Sequence, residues 1–150
     1  MATNVENRSG ALIQLIYASQ AVRPMSSAEL MDLLVQARDK NERLDITGML
    51  LYKQQGFLQV LEGWRDAVHD VYASIRNDRR HRAVHTLLEK EVDGRQFADW
   101  TMGFCDLDES DHASVPGYTG FLDEGFDSLA RGNRGDIAHS LLVSFRDMAV

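Results

Sequence analysis

The stretch Gly56-Phe57-Leu58-Gln59-Val60-Leu61-Glu62-Gly63 follows Ile46 to Tyr52 after a short polar turn, and the two segments read as the arms of a β-hairpin. Side chains alternate between faces along a strand. Phe57, Gln59 and Leu61 therefore share one face, and Leu58, Val60 and Glu62 share the other. Both faces are rich enough in large apolar residues to be covered, which places the amide of Gln59 inside the fold. A buried amide without partners costs roughly 1–3 kcal/mol, so Gln59 must bond to something.

Working outward, Ala11 to Ser19 (ALIQLIYAS) reads as a first strand ending near Tyr17, which alternates with Ile13 and Leu15. Ser26-Ser27-Ala28-Glu29 fits a capping box with Ser26 as N-cap. A helix follows, with Leu30, Leu33, Leu34, Ala37 and Asn41 at helical spacing. Val68, Val71, Tyr72 and Ile75 mark a second helical face, with Trp64 at its start. Ala83 to Val92 and Gln96 to Phe104 read as two more strands around the turn Asp93-Gly94. The order β-α-β-β-α-β-β predicts a ferredoxin-like α+β sheet with two helices on one face. Beyond Phe104 the composition becomes rich in Asp, Ser, Pro and Gly. Residues 105–150 are expected to form a linker and a helical appendage, with helices over Phe121 to Ala130 and Asp136 to Met148. Residues 1–10 read as a polar arm.

The chain has 150 residues and a net charge of -7, and nearly all of the acidic excess lies beyond residue 104. No basic patch points to nucleic acid. With one cysteine, Cys105, there is no internal disulfide and no cysteine cluster for zinc. No apolar run has the length of a membrane span, and the N-terminal segment lacks the apolar core of a signal peptide. A soluble, cytoplasmic protein is expected. His81 and His85 are four residues apart, a spacing that suits metal on a helix, but Val84 and Thr86 begin a predicted strand and no third ligand is evident, so zinc is not favoured. Asp106, Asp108 and Asp111 lack the glycine and closing glutamate of a calcium loop.

Several polar residues fall on apolar faces: Tyr17, Asn41, Gln59, and Asp78 with Arg79 at the end of the second helix. They could satisfy one another, with Asn41 capping a helix, Asp78 paired with an arginine and Gln59 bonded to the Tyr17 hydroxyl. They could instead converge on a polar ligand between the helices. A planar heterocycle with an amide-like edge would suit Asn41 and Gln59, which each offer donors and an acceptor.

LIYAS, the ARxxN ending of the first helix (Ala37 to Asn41), ITGMLLY, GFLQVLEG, RNDRRH and RQFADWTMGF occur in this order over residues 11–104, and this set resembles the BLUF family of flavin-based blue-light sensors. The resemblance implies a noncovalent flavin, FAD or FMN, and no catalytic residues. By position, Tyr17 corresponds to the photoactive tyrosine and Gln59 to the switching glutamine. Asn41 corresponds to the asparagine on the polar edge of the flavin ring, Lys40 to a flanking residue and Ile75 to an apolar ring contact. Asp78, Arg80 and His81 correspond to the polar lining near the pyrimidine and ribityl end. Trp100 and Met102, expected on one face of the last strand, and Ser19 correspond to relay positions. A serine that some members carry on the first helix is Ala37 here. The short acidic tail looks like that of small stand-alone members without an enzymatic domain. That likeness implies a downstream protein effector. The sheet face away from the helices, which carries Leu58 and Val60, is apolar and must be covered, so a homo-oligomer is expected, with the tail helices covering part of that face. Light would move an electron and a proton from Tyr17 and leave Gln59 rotated or tautomerised. The competing readings of this topology are a cofactor-free oligomerising adaptor and an acylphosphatase-like hydrolase using Asn41 and an arginine. Bound yellow flavin separates them from the first.

Overall fold

The structure is a computed structural model that describes residues 11–109, Thr119 and residues 137–147. Five strands, β1 (Leu12–Ala21), β2 (Thr47–Lys53), β3 (Gly56–Trp64), β4 (His81–Glu91) and β5 (Gly103–Asp106), form one sheet in the order β4-β1-β3-β2-β5. All neighbours are antiparallel except β2 and β5, which run parallel. Helices α1 (Ser27–Arg43) and α2 (Arg65–Arg76) cover one face, and α3 (Ile137–Asp147) packs on the other. This is the expected α+β arrangement of a ferredoxin-like sheet.

The local reasons are legible. The Ser26 hydroxyl accepts the Glu29 N–H at 3.1 Å, and the Glu29 carboxylate accepts the Ser26 N–H at 3.0 Å, which satisfies two donors at the start of α1. Leu30, Leu33 and Leu34 then bury against Val68, Val71 and Tyr72 of α2 and against Ile13, Leu15, Phe57 and Leu61 of the sheet. The opposite face is a second core of Ile16, Leu51, Leu58 and Val60, capped by Ala138 and Leu142 of α3. Both faces of the central strands are thus covered, and β1 and β3 accordingly read as continuous apolar runs rather than clean alternations. The β2–β3 turn places both Gln54 and Gln55 at positive φ, the combination a type I′ hairpin turn requires. The Asp108 carboxylate accepts the Gln54 N–H and holds this turn.

Three expectations need correction. β1 continues to Ala21, so Tyr17 lies inside the strand rather than at its end. β4 starts at His81, which places His81 on a strand rather than on the exit from α2. The expected strand from Gln96 to Phe104 is only Gly103–Asp106, and β4 and β5 form no hairpin around Asp93-Gly94; they are the two opposite edges of the sheet. The cause is Glu62. Its buried carboxylate accepts the backbone N–H groups of Gln96 and Phe97 at 2.8–3.0 Å and an N–H of Gln14 at 2.8 Å. Arg95 reaches Thr47 Oγ1 and the carbonyls of Asp45 and Glu62. These bonds hold the chain across the end of β1, β3 and β2, and it delivers β5 to the far side. Burial pushes the Glu62 carboxyl pKa up, against the lowering effect of the N–H donors.

The helix expected over Phe121 to Ala130 lies outside the described residues, as does Asp111. The helix expected over Asp136 to Met148 is α3. Its end is tied down by Lys53, whose ammonium donates to the Arg146 carbonyl at 2.9 Å. No described helix is long and apolar enough to cross a membrane.

Candidate functional site

In the β1–β3 ladder Tyr17 pairs with Gln59, and in the β3–β2 ladder Gln59 pairs with Leu50. Thr86 lies beyond Tyr17 and Phe104 beyond Leu50, so one row of residues crosses the whole sheet at this level. Directly opposed residues on antiparallel strands have neighbouring side chains. The Tyr17–Gln59 contact is therefore set by strand register. The Tyr17 hydroxyl donates to Gln59 Oε1, and Gln59 Nε2 donates to Met102 Sδ at 3.2 Å.

Above this row, residues of α1 and α2 and of the sheet enclose a cleft of about 200 Å³. Leu33, Leu50, Val71 and Ile75 give it apolar walls. Asn41 lines it from α1 and Gln59 from β3, and Asp78, Arg80 and His81 line it where α2 hands over to β4. Lys40 and Ser74 span it between the helices through a 2.7 Å hydrogen bond.

The polar groups are ordered. Asn41 is 1% exposed and donates one N–H to the Thr101 carbonyl at 3.1 Å. It does not cap α1 with its side chain, as one reading of the sequence had it. An amide nitrogen carries two N–H groups, so Asn41 and Gln59 each retain a second donor beside the cleft. The Asp78 carboxylate accepts both the backbone and guanidinium N–H groups of Arg80, and Arg80 also reaches Gln36. That pairing with Arg80 holds the Asp78 carboxyl below the usual carboxylate range. His81 is buried, stacks near Phe57 and shares a 3.0 Å hydrogen bond between Nδ1 and Ser19 Oγ. Burial lowers its pKa; Asp78 opposes and Arg80 reinforces that shift. The Tyr17 hydroxyl is raised well above the ordinary tyrosine range, first by burial and then by Tyr72 and Asp78. It is therefore a protonated donor at any physiological pH.

Tyr17, Lys40, Asn41, Gln59, Ile75, Asp78, Arg80 and His81 all line this one cleft. Ser19 reaches it only through His81. Met102 and Trp100 do not share a strand face, because residues 97–102 form turns and bends. Met102 packs into the helix-side core beside Gln59, whereas Trp100 packs with the α3-side core. Glu62, Ser74, Tyr72 and Arg38 had no part in the site expected from the sequence. Tyr72 stacks 5.3 Å from the Tyr17 ring and hydrogen-bonds Thr86. Cys105 is buried in the α3-side core. Asp106 and Asp108 bond backbone N–H groups of the loop and the hairpin turn.

Comparison with known proteins agrees with this geometry. Residues 12–103 match the family model "BLUF: Sensors of blue-light using FAD". Photoactivated adenylate cyclase subunit beta of Euglena longa is 42% identical over 92 residues, 61% of this chain and 11% of that protein. The alpha subunit of Euglena gracilis is 42% identical over 88 residues, 59% of this chain and 9% of that protein. The chain thus spans about a tenth of the length of these curated relatives. Among solved structures, Klebsiella pneumoniae BlrP1 with FMN and cyclic diGMP superposes with a TM-score of 0.71 at 32% identity, covering 90% of this chain and 34% of that one. The BLUF protein BlrB in its dark state gives 0.66 at 26%, covering 89% and 96%. With the family model covering more than half of its length, this chain belongs to the BLUF family of flavin-based blue-light sensors.

Proposed function

We propose that the cleft between α1 and α2 holds a noncovalent oxidised flavin, FAD or FMN, and that Tyr17 and Gln59 are the photoactive pair. The observation that carries this is the Tyr17–Gln59 hydrogen bond at the floor of a cleft whose other polar groups are Asn41, Lys40, Asp78, Arg80 and His81. The donor set suits the ligand. Apolar walls at Leu33, Leu50, Val71 and Ile75 accept a flat ring, and the spare N–H groups of Asn41 and Gln59 suit its acceptor edge. The Asp78–Arg80 pair and His81 offer hydrogen-bonding groups where α2 hands over to β4.

Bound oxidised flavin, once excited by blue light, supplies a strong one-electron oxidant. Tyr17 serves as the electron donor. A phenol that has lost an electron is strongly acidic, and the outlet for its proton is Gln59 Oε1. Return of electron and proton to Tyr17 leaves Gln59 rotated or tautomerised; we take rotation, which exchanges its amide end for end. The dark amide is held strongly on one side, by Tyr17, and weakly on the other, because a thioether is a poor acceptor. Exchange therefore gives up only a weak bond on the Met102 side, although it brings two acceptors together there. No covalent bond forms, so the change reverses in the dark.

Met102 is the residue that senses the exchange, and it leads directly into β5. The β5 residue Phe104 is bonded in both directions to Thr119. We place the output there, in a contact with a protein effector, and we place no catalysis in the cleft. Relatives matched over this region carry light-activated cyclase names, as expected of a module that switches another activity. Self-association of the chain belongs to the same proposal and is read by light scattering.

Purified protein should be yellow. Heat release followed by chromatography should yield FAD or FMN, which also settles which of them is retained. A colourless protein that cannot be reconstituted with either flavin contradicts the proposal.

A further inference from the structure

Three consecutive carbonyls between β4 and β5 are each held by a donor from another element. The Trp100 carbonyl accepts the Gly48 N–H at 3.1 Å, the Thr101 carbonyl accepts Asn41 Nδ2 at 3.1 Å, and the Met102 carbonyl accepts Arg38 Nε at 2.9 Å. Arg38 and Asn41 lie three residues apart on α1, the spacing that stacks two side chains on one face of a helix. Their two bonds therefore form a clamp on adjacent peptide units. The clamped segment is irregular and has no ladder of its own until Gly103. It meets the photoactive pair through Met102 Sδ, which accepts from Gln59 Nε2.

We propose that Arg38 is a positioning residue: by bonding the Met102 carbonyl beside the Asn41–Thr101 bond, it holds the Met102 sulfur against Gln59 and so sets the lifetime of the lit state. The guanidinium is partly withdrawn from water to make this bond. A hydrogen bond from a charged donor is stronger than a neutral one. The chemistry gives the direction of the effect. In the dark, Gln59 turns an N–H toward the sulfur. With the amide exchanged, Oε1 would face it, placing two acceptors together and favouring return. Freeing Met102 removes that opposition, so the lit state should last longer. The lifetime argument rests on the Tyr17–Gln59 reading above; the clamp itself does not.

Two measurements test it. In flavin-loaded protein, Arg38→Ala should keep the cofactor and the size of the light-induced red shift. It should slow dark recovery by at least about threefold, a fraction of the worth of one charge-assisted hydrogen bond. Arg38→Lys, a cation of similar reach, should recover part of the difference. Met102→Leu should slow recovery as well, and adding Arg38→Ala to it should change nothing further, because both act through the sulfur. In flavin-free protein, dilute hydrogen peroxide followed by peptide mass spectrometry should show Met102 oxidising several times faster in Arg38→Ala. Met49, fully buried on the other core, is the internal reference. Unchanged Met102 oxidation, or equal acceleration at Met49, overturns the clamp and makes Arg38 an ordinary structural residue. Unchanged or faster recovery, or additive effects in the double variant, overturns its role in the lifetime. A wild type without a red shift removes the photochemical reading, while faster Met102 oxidation in Arg38→Ala still upholds the clamp.

Discussion

Tyr17 and Gln59 face each other across the β1–β3 pair, and the hydroxyl of one donates to the amide oxygen of the other. Both side chains are almost fully buried, at 1% and 4% exposure. Because the pair is set by backbone register rather than by a loop, neither residue can leave without breaking the centre of the sheet. Such a pair is preorganised, and the rearrangement proposed for it would be confined to the amide itself.

Asn41→Ala should weaken flavin retention more than it weakens the fold. The side chain gives one hydrogen bond to the Thr101 carbonyl, worth about 0.5–1.5 kcal/mol net. Its second N–H is available to a ligand. Flavin affinity should fall by roughly tenfold, or about 1.4 kcal/mol. Fluorescence titration of flavin and melting of the flavin-free protein check the two halves. Unchanged affinity with a large drop in melting would leave Asn41 a purely structural residue.

Gly48→Ala should be strongly destabilising. A Cβ at this position would sit 1.8 Å from the Val60 carbonyl oxygen, on the strand that carries Gln59, and 3.3 Å from the Met102 methyl. Backbone rather than a flexible side chain must move, so a loss of about 1–3 kcal/mol or more is expected. A denaturation midpoint equal to that of the wild type would refute the close packing of β2 on β3.

His81 should make the fold sensitive to acid. Its folded-state pKa lies below the ordinary 6.5, because burial opposes the charged ring. In the window below 6.5 the unfolded chain then binds more protons than the folded one, so stability rises with pH and is lost on acidification. Melting of the flavin-free protein should drop between about pH 7.5 and about pH 5.5. The drop should be smaller in His81→Asn, which keeps a hydrogen-bonding partner for Ser19 without the titration. Equal slopes for the two proteins would exclude His81 as the source.

The first strands and helices were legible because their signals are local. Ser26 and Glu29 announce α1, and the hairpin around Gln54-Gln55 announces β2 and β3. Residues Tyr17, Asn41 and Gln59 stood out as polar groups on apolar faces, and the structure brings them to one cleft. The family motifs, rather than periodicity, supplied Lys40, Arg80 and His81. What sequence could not give was the path from β4 to β5. It depends on Glu62, whose place on a strand face gave no sign that its carboxylate would bind Gln96 and Phe97. The parting of Trp100 and Met102 to opposite cores follows from that same path. Arg38 was hidden for a different reason. An arginine on a helix reads as solvated until the carbonyl it reaches is known.

The light-minus-dark absorption spectrum of the wild type beside Tyr17→Phe tests the central claim most directly. The substitution removes only the hydroxyl, and the ring keeps its packing on Tyr72. The stability loss should be about 0.5–1.5 kcal/mol, or more if Gln59 is left unpaired. Flavin should remain bound through Asn41 and the Asp78–Arg80 end of the cleft. Under identical blue light the wild type should show a red shift that reverses in the dark, and Tyr17→Phe should stay yellow and show none. A normal, reversible red shift in Tyr17→Phe would contradict the assignment of Tyr17 as the photochemical donor.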